Sequence, residues 1–145
     1  MSRRLVLAIA SFASLFFATA APAARVAERT EITVRESDFG QMIWAPGRQA
    51  IYMFENDQRN KSRCYGRCAK AWPPVLSQGR PKAGRGVDPD LLGTARRRNG
   101  DRQVTYGGKP LYTYAHEGRD EVFCHDVNLN GGYWWVLDPE GEPRA

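Results

Sequence analysis

The sequence predicts an all-β protein, built mainly of antiparallel hairpins with at most one or two short helical turns, as a compact single domain of two repeated units. The run from Ile51 to Cys64 returns as Leu111 to Cys124 at a constant offset of 60 residues. Short apolar runs alternate with Gly, Pro and Asn turn signals, which is typical of strands. No stretch has a helical periodicity long enough to carry a core. Two copies of one β unit therefore account for most of the chain.

The first copy begins with a predicted hairpin. Residues 31–35 alternate polar and apolar side chains, the pattern of a half-buried strand, and residues 41–44 predict a second strand. Pro46 presets one turn dihedral and Gly47 admits a positive one. The chain can therefore reverse into a third strand over residues 50–54.

The only helical candidate is the segment 66–72, which is limited to a turn or two because Pro73 and Pro74 cannot continue a helix. Residues 77–95 are rich in Gly, Pro and charge and are predicted to form the loop that joins the two copies. The copies themselves span about 38–76 and 96–138.

The second copy repeats the pattern with stronger turn signals. Asn99-Gly100 and Gly107-Gly108 both favour tight hairpin turns, because these residues tolerate a positive φ. The predicted strands of this copy are 103–106, 110–114 and 133–137.

Aromatic and acidic residues recur at matched positions in the two copies. We expect the aromatic members to belong to the core. The acids are expected to accept hydrogen bonds in a turn or to pair with Arg59 and Arg119. The repeated positions are Tyr52, Phe54 and Asp57 in the first copy and Tyr112, Tyr114 and Glu117 in the second.

Three motifs of the first copy together resemble a bacterial secreted-repeat family of unknown function, often described as predicted lipoproteins. They are Tyr-x-aromatic-x-x-Asp at 52–57, Cys-x-Gly-x-Cys-Ala at 64–69 and Trp-Pro-Pro at 72–74. The runs 91–94, 98–100 and 103–112 are similar to the second half of that family's domain. The resemblance implies an exported β-rich module and brings no established reaction or ligand. The chain departs from the family in Glu117, in Cys124 and in lacking a cysteine for lipid attachment.

The start of the chain predicts export. Arg3 and Arg4 precede an apolar run from Leu5 to Ala20, and Ala21-Pro22-Ala23 has the form that a signal peptidase accepts. Residues 1–24 are therefore predicted to be a cleaved signal peptide, and residues 25–145 the single β-rich domain. Lipid attachment would need a cysteine just after the cleavage site, and the first cysteine in the chain is Cys64. We therefore expect a mature protein that is soluble, without a transmembrane span, and periplasmic or secreted.

Three cysteines in an exported chain predict one disulfide and one remaining thiol. The family resemblance favours a bond between Cys64 and Cys68. The alternative joins Cys64 to Cys124, which are equivalent positions, and would connect the two copies. The sequence leaves both pairings open.

Metal binding is the sharper chemical hypothesis. Cys124, His125 and His116 supply thiolate and imidazole, which are ligands for copper or zinc. A periplasmic metal-binding or thiol-redox protein is therefore the alternative function. No catalytic constellation is visible, and no cofactor is otherwise expected.

Charge is unevenly distributed along the chain. Residues 58–102 contain twelve basic and three acidic residues, a local charge of +9, whereas residues 103–145 sum to −4. A basic segment attracts polyanions, and for an exported protein these are envelope polymers or lipid surfaces rather than nucleic acid. The leading prediction is a non-enzymatic binding or structural module of the cell envelope. The segment from Arg59 to Arg102 would contact an anionic polymer or lipid surface. The sequence does not specify the oligomeric state.

Overall fold

The structure is a computed structural model that describes residues 28–144, so the predicted signal peptide lies outside the described residues. The described chain folds into short strands in three small sheets, and the all-β, single-domain prediction is confirmed. The strands are β1 Glu31–Arg35, β2 Met42–Ala45, β3 Gln49–Ala50, β4 Tyr52–Phe54, β5 Lys82–Ala83, β6 Leu92–Arg96, β7 Arg102–Tyr106, β8 Lys109–Pro110, β9 Val127–Leu129 and β10 Gly132–Val136.

The sheets are mostly antiparallel meanders. One has the order β3-β2-β1-β5, the second β4-β10-β9 and the third β6-β7-β8. Only the short β1–β5 pairing is parallel among the described strands. The same up-and-down unit therefore occurs twice, once as β1-β2-β3 and once as β6-β7-β8, and in both cases its first strand begins before the predicted copy.

The helical content matches the prediction. A five-residue helix, α1, spans Arg67–Ala71 and is followed by its C-cap residue Trp72 and the two prolines. A single 3-10 turn, Pro46–Arg48, joins β2 to β3, with Gly47 at a φ of 75°. The predicted reversal at Pro46 and Gly47 is therefore present.

The third predicted strand is divided between two sheets. Ala50 pairs with Trp44 in the first sheet, whereas Tyr52 pairs with Val136 in the second, and the buried Ile51 lies between them. The side-chain pattern of this run is continuous, so the division depends on long-range partners that a local pattern does not contain.

The remaining differences involve segments 77–95, 110–114 and 127–129. The predicted strand 110–114 is reduced to β8 and an isolated bridge at Tyr112, because the chain beyond Pro110 pairs with Tyr52 and Pro74 and does not continue the third sheet. Residues 77–95 are not only a connecting loop, since β5 lies inside them and β6 begins at Leu92. Strand β9 was not predicted, although Asn130 and Gly131 at its end both have positive φ and form the tight turn to β10. That Asn-Gly pair was the available signal for this hairpin.

Equivalent contacts recur in the two copies. The amide of Asn60 donates to the carbonyl of Gly108, and 60 residues later the amide of Asp120 donates to the carbonyl of Arg48. Each bond runs from one copy to the other. Tyr52 and Tyr112, which are also equivalent, form an antiparallel bridge. The copies are thus related by an approximate two-fold rotation near this bridge.

The core has an aliphatic and an aromatic part. The aliphatic cluster includes Ile32, Ile43, Val104, Leu111 and Leu137, all fully buried. The aromatic cluster contains Tyr52, Phe54, Trp72, Tyr112 and Trp134, each at most 4% exposed, with the half-buried Tyr114 packed against it. The aromatic part is built from both copies, so neither copy encloses it alone.

Candidate functional site

The repeated tyrosines and acids form hydrogen bonds between the copies. The hydroxyl of Tyr52 donates to Glu117 Oε1 at 2.7 Å. In the equivalent arrangement the hydroxyl of Tyr112 donates to Asp57 Oδ2, also at 2.7 Å. Each copy therefore contributes a tyrosine to the acid of the other. This exchange gives all four motif residues a role in joining the copies.

The same acids close the loop that follows them within their own copy. Asp57 Oδ1 accepts the amide of Arg63, and Glu117 Oε1 accepts the amide of Phe123, both at 2.7 Å. The expected turn-acceptor role therefore matches the geometry. The expected ion pairs with Arg59 and Arg119 do not occur among the ion pairs of residues 28–144.

Burial controls the ionisation of this network. Desolvation raises the pKa of Glu117 above its ordinary value, although hydrogen bonds from Tyr52 and two backbone amides oppose the shift. Desolvation likewise raises the pKa of Asp57, against the hydrogen bond from Tyr112 and the positive charge of Arg97. Burial also raises the pKa of both tyrosine hydroxyls, so they remain protonated donors.

A buried arginine supports one of the two networks. Arg97 is 6% exposed, and its guanidinium donates to Gln103 Oε1 at 2.6 Å, Ser62 Oγ at 3.0 Å and the carbonyl of Cys64 at 2.8 Å. The hydroxyl of Ser62 lies 2.6 Å from that of Tyr112. Sequence reasoning counted Arg97 among surface charges. Arg97 follows the end of β6 and continues its alternation, since Ala95 and Arg97 are buried whereas Arg96 and Arg98 are exposed.

The cysteines form the pair that the family resemblance favours. Cys64 and Cys68 are joined by a disulfide, with their Cα atoms 5.3 Å apart. Cys124 is a buried free thiol, and its pKa is raised to about 11, chiefly by burial and further by the Glu117 carboxylate. The thiolate is the reactive form, so this thiol is a poor nucleophile at neutral pH.

The residues of the metal hypothesis are not assembled into a site. His125 Nδ1 lies 3.4 Å from the amide of Val136, and its ring contacts Phe39 edge-on. His116 is exposed and packs beside Tyr114. Within residues 28–144 no three His, Cys, Asp or Glu side chains are grouped to hold a metal ion.

A basic concavity of about 570 Å³ lies between the loop after β4 and the end of β6. Lys61, Arg63, Arg96 and Arg98 are its exposed basic residues, and no acidic residue lines it. Tyr65 forms part of its wall, with the guanidinium carbons of Arg97 and Arg98 at 4.4 and 4.2 Å from the ring centroid. This cation–π stacking orients both arginines. We call these residues the basic concavity.

The equivalent surface of the other copy is acidic. A concavity of about 250 Å³ is lined by Glu36, Asp38, Asp120, Glu121, Phe123 and Trp44. No basic residue lines it, although Asp120 is paired with Arg48 beside it. At the offset of 60 residues Glu36 corresponds to Arg96, Asp38 to Arg98 and Glu121 to Lys61. We call this surface the acidic concavity. The two-fold repeat thus presents two related surfaces of opposite charge.

The rest of the predicted basic segment is dispersed. Lys82 pairs with Glu31 on the β1–β5 edge, and Arg80 donates to the carbonyl of Pro89. Lys70 and Arg85 are exposed and lie outside the basic concavity. The segment from Arg59 to Arg102 is therefore not one continuous surface, and its convergent part is the basic concavity.

Comparison with known proteins supports export. Residues 33–76 match a family model described as a secreted repeat of unknown function, and this confirms the resemblance over that segment. No curated protein and no solved structure matches the chain. No helix among residues 28–144 is long and apolar enough to cross a membrane. The matched segment includes the whole of the predicted first copy, 38–76, and the family indicates an exported protein.

Proposed function

We propose that the chain is an exported, non-enzymatic binding module of the cell envelope whose basic concavity takes phosphate or carboxylate groups. Such groups occur on anionic envelope polymers and on the headgroups of anionic lipids. The observation that carries the proposal is the convergence of Lys61, Arg63, Arg96 and Arg98 on one concavity without an acidic neighbour. Planar guanidinium groups suit these anions, because they donate two parallel hydrogen bonds.

The basic side chains project from a supported frame. The buried Arg97 lies between Arg96 and Arg98 in sequence and donates to the carbonyl of Cys64, which precedes the half-buried loop residue Tyr65. The disulfide between Cys64 and Cys68 restrains the same loop. A supported frame reduces the ordering cost of binding and favours a role in recognition.

A binding role also agrees with the chemistry of the thiol. Catalysis by a cysteine needs a thiolate, whereas burial raises the pKa of the Cys124 thiol and keeps it protonated at neutral pH. The histidines do not lie in the basic concavity. Its side chains are suited to holding an anion and provide no nucleophile with an adjacent base.

The test compares two double charge reversals with the same change in net charge. Arg96→Glu with Arg98→Glu changes the basic concavity, and Lys70→Glu with Arg85→Glu changes exposed residues elsewhere in the basic segment. Inorganic polyphosphate in calorimetry and vesicles of phosphatidylglycerol or phosphatidylcholine in cosedimentation serve as probes. We expect the concavity variant to lose at least about tenfold in affinity for the anionic probes, equivalent to about 1.4 kcal/mol, and the control variant to keep most of it.

The probes separate the two sources of the anion. Binding to polyphosphate alone favours a soluble polymer, whereas binding to phosphatidylglycerol vesicles alone favours a lipid surface. Affinity should fall as salt shortens the screening length from about 10 Å at 0.1 M to about 3 Å at 1 M. Equal losses in both variants, or binding that is insensitive to salt, would contradict a specific role for the basic concavity.

A further inference from the structure

We infer that the protein associates with itself head to tail, with the acidic concavity of one copy docked on the basic concavity of the next. The inference goes beyond the proposed function and concerns a second use of the same basic surface. It commits to a second copy of this chain as the occupant, because the chain carries both complementary surfaces.

The first argument is charge complementarity. Both surfaces are built from equivalent segments, a β1–β2 or β6–β7 loop and the loop that follows the motif acid of the other copy. The sign of the charge is reversed at three equivalent positions. Glu36 corresponds to Arg96, Asp38 to Arg98 and Glu121 to Lys61. Matching potentials favour the correct encounter and penalise contacts between like surfaces.

The second argument is shape and exposure. Phe123 on the acidic concavity is 67% exposed, the highest value among the exposed large apolar residues of the described chain. Its equivalent on the basic surface is Arg63. The basic concavity is the larger of the two and already holds an aromatic ring, Tyr65, against guanidinium groups. An entering Phe123 ring would find the same type of cation–π partner there and lose its contact with water.

The two surfaces differ, so the contact is heterologous. A pair formed through one such contact keeps one free basic and one free acidic concavity, which allows further copies to add. Anionic probes and the acidic concavity would compete for the same arginines. Self-association and polyanion binding should therefore exclude each other at the basic concavity.

The test is a charge swap followed by light scattering and sedimentation at low salt. Glu36→Lys with Asp38→Lys cancels the negative charge of the acidic concavity, which keeps Asp120 and Glu121. Arg96→Glu with Arg98→Glu cancels the charge of the exposed basic residues, of which Lys61 and Arg63 remain. We expect the wild type to exceed the monomer mass, each variant alone to remain monomeric, and an equimolar mixture of the two to form a 1:1 complex. The mixture retains one native contact, between the untouched basic surface of the first variant and the untouched acidic surface of the second.

Further measurements keep the test decisive. The Glu36→Lys/Asp38→Lys variant should still bind polyphosphate, which distinguishes a failure of self-association from a failure of the proposed function. Phe123→Ala should weaken wild-type association at least severalfold without changing the charge. If one of the charge-substituted variants fails to fold, two measurements still test the inference. They are the salt dependence of the molar mass of the wild type and the effect of Phe123→Ala. A wild type that is monomeric at low salt and high concentration would overturn the inference, as would an oligomer unaffected by these changes.

Discussion

Tyr52 and Tyr112 donate to each other through their backbones, with the Tyr52 amide 2.8 Å from the Tyr112 carbonyl and the Tyr112 amide 2.9 Å from the Tyr52 carbonyl. Both side chains are fully buried, and each hydroxyl ends on an acid of the opposite copy. The pair therefore connects the two copies at the backbone and at the side chain.

Replacing either tyrosine by alanine should destabilise the domain by a similar amount. Emptying a large aromatic site costs roughly 3–5 kcal/mol, and both positions have the same burial and an equivalent hydrogen bond. Tyr→Phe should cost less, about 1–3 kcal/mol, because it removes only the hydroxyl from the acid. Chemical denaturation of Tyr52→Ala and Tyr112→Ala, with the disulfide intact, measures both losses. Denaturation midpoints unchanged in both variants would contradict the structural role.

The buried acid Glu117 should make stability depend on pH. Its pKa is higher in the folded than in the unfolded chain, where the ordinary value is 4.5. The stabilising contribution of Glu117 is therefore fully present below the pKa that it has in the unfolded chain. This contribution is lost as the pH rises through the pKa that Glu117 has in the folded chain. The free energy of unfolding should fall from weakly acidic toward neutral pH. The fall is about 1.4 kcal/mol for every tenfold difference in proton affinity between the folded and unfolded states.

Glu117→Gln should flatten this dependence, because glutamine retains an acceptor oxygen and carries no charge. At pH 8 the variant should be at least as stable as the wild type, and near pH 4 the two should converge. Glu140→Gln, at an exposed glutamate, is the control and should leave the profile unchanged. Urea denaturation across pH 4 to 8 measures the curves. A wild type that gains stability over this range relative to Glu117→Gln would show that the pKa is shifted in the opposite direction.

Arg97 should stabilise the fold strongly, although its sequence neighbours should not. Arg97→Met would leave Gln103, Ser62 and the carbonyl of Cys64 without their donor, and each buried acceptor left unpaired costs about 1–3 kcal/mol. The exposed Arg96→Ala should change stability by no more than about 0.5 kcal/mol. Thermal melts of both variants test the difference. A test of the basic concavity must therefore leave Arg97 in place.

The two classes of cysteine should behave differently. The disulfide closes a loop between residues only four apart in sequence, so replacing Cys64 and Cys68 by serine should cost about 2 kcal/mol or less. Cys124 should resist iodoacetamide in the folded protein at pH 7.5, because it is buried and its pKa is about 11. In denaturant one thiol per molecule should react. Rapid labelling of the folded wild type that disappears in Cys124→Ser would contradict this assignment.

Local patterns were sufficient for much of the fold. Pro46-Gly47, Gly107-Gly108 and the strand over residues 31–35 were predictable because turn chemistry and two-residue alternation are properties of adjacent residues. The division at Ile51 was not predictable in this way, because Ala50 and Tyr52 choose partners that are distant in sequence.

The sequence predicted which residues belong to the candidate site but not how they are arranged. The repeat identified Tyr52, Tyr112, Asp57 and Glu117 as equivalents, yet not that each tyrosine reaches the acid of the other copy. The local charge of +9 identified a basic segment, yet not that Arg97 is buried within it. Both results depend on how the copies face each other, which an internal repeat does not specify.

The exchanged tyrosine and acid bonds have a consequence for assembly. Each copy carries one tyrosine and one acid, but its tyrosine donates to the acid of the other copy. Two identical units would exchange both bonds in the same way, as the protomers of a symmetric homodimer do. The chain is in this sense a homodimer tethered within one polypeptide. The tether replaces a bimolecular encounter by an intramolecular one with a high effective concentration. The domain can therefore fold at any dilution, and its two halves are free to carry different surface charges.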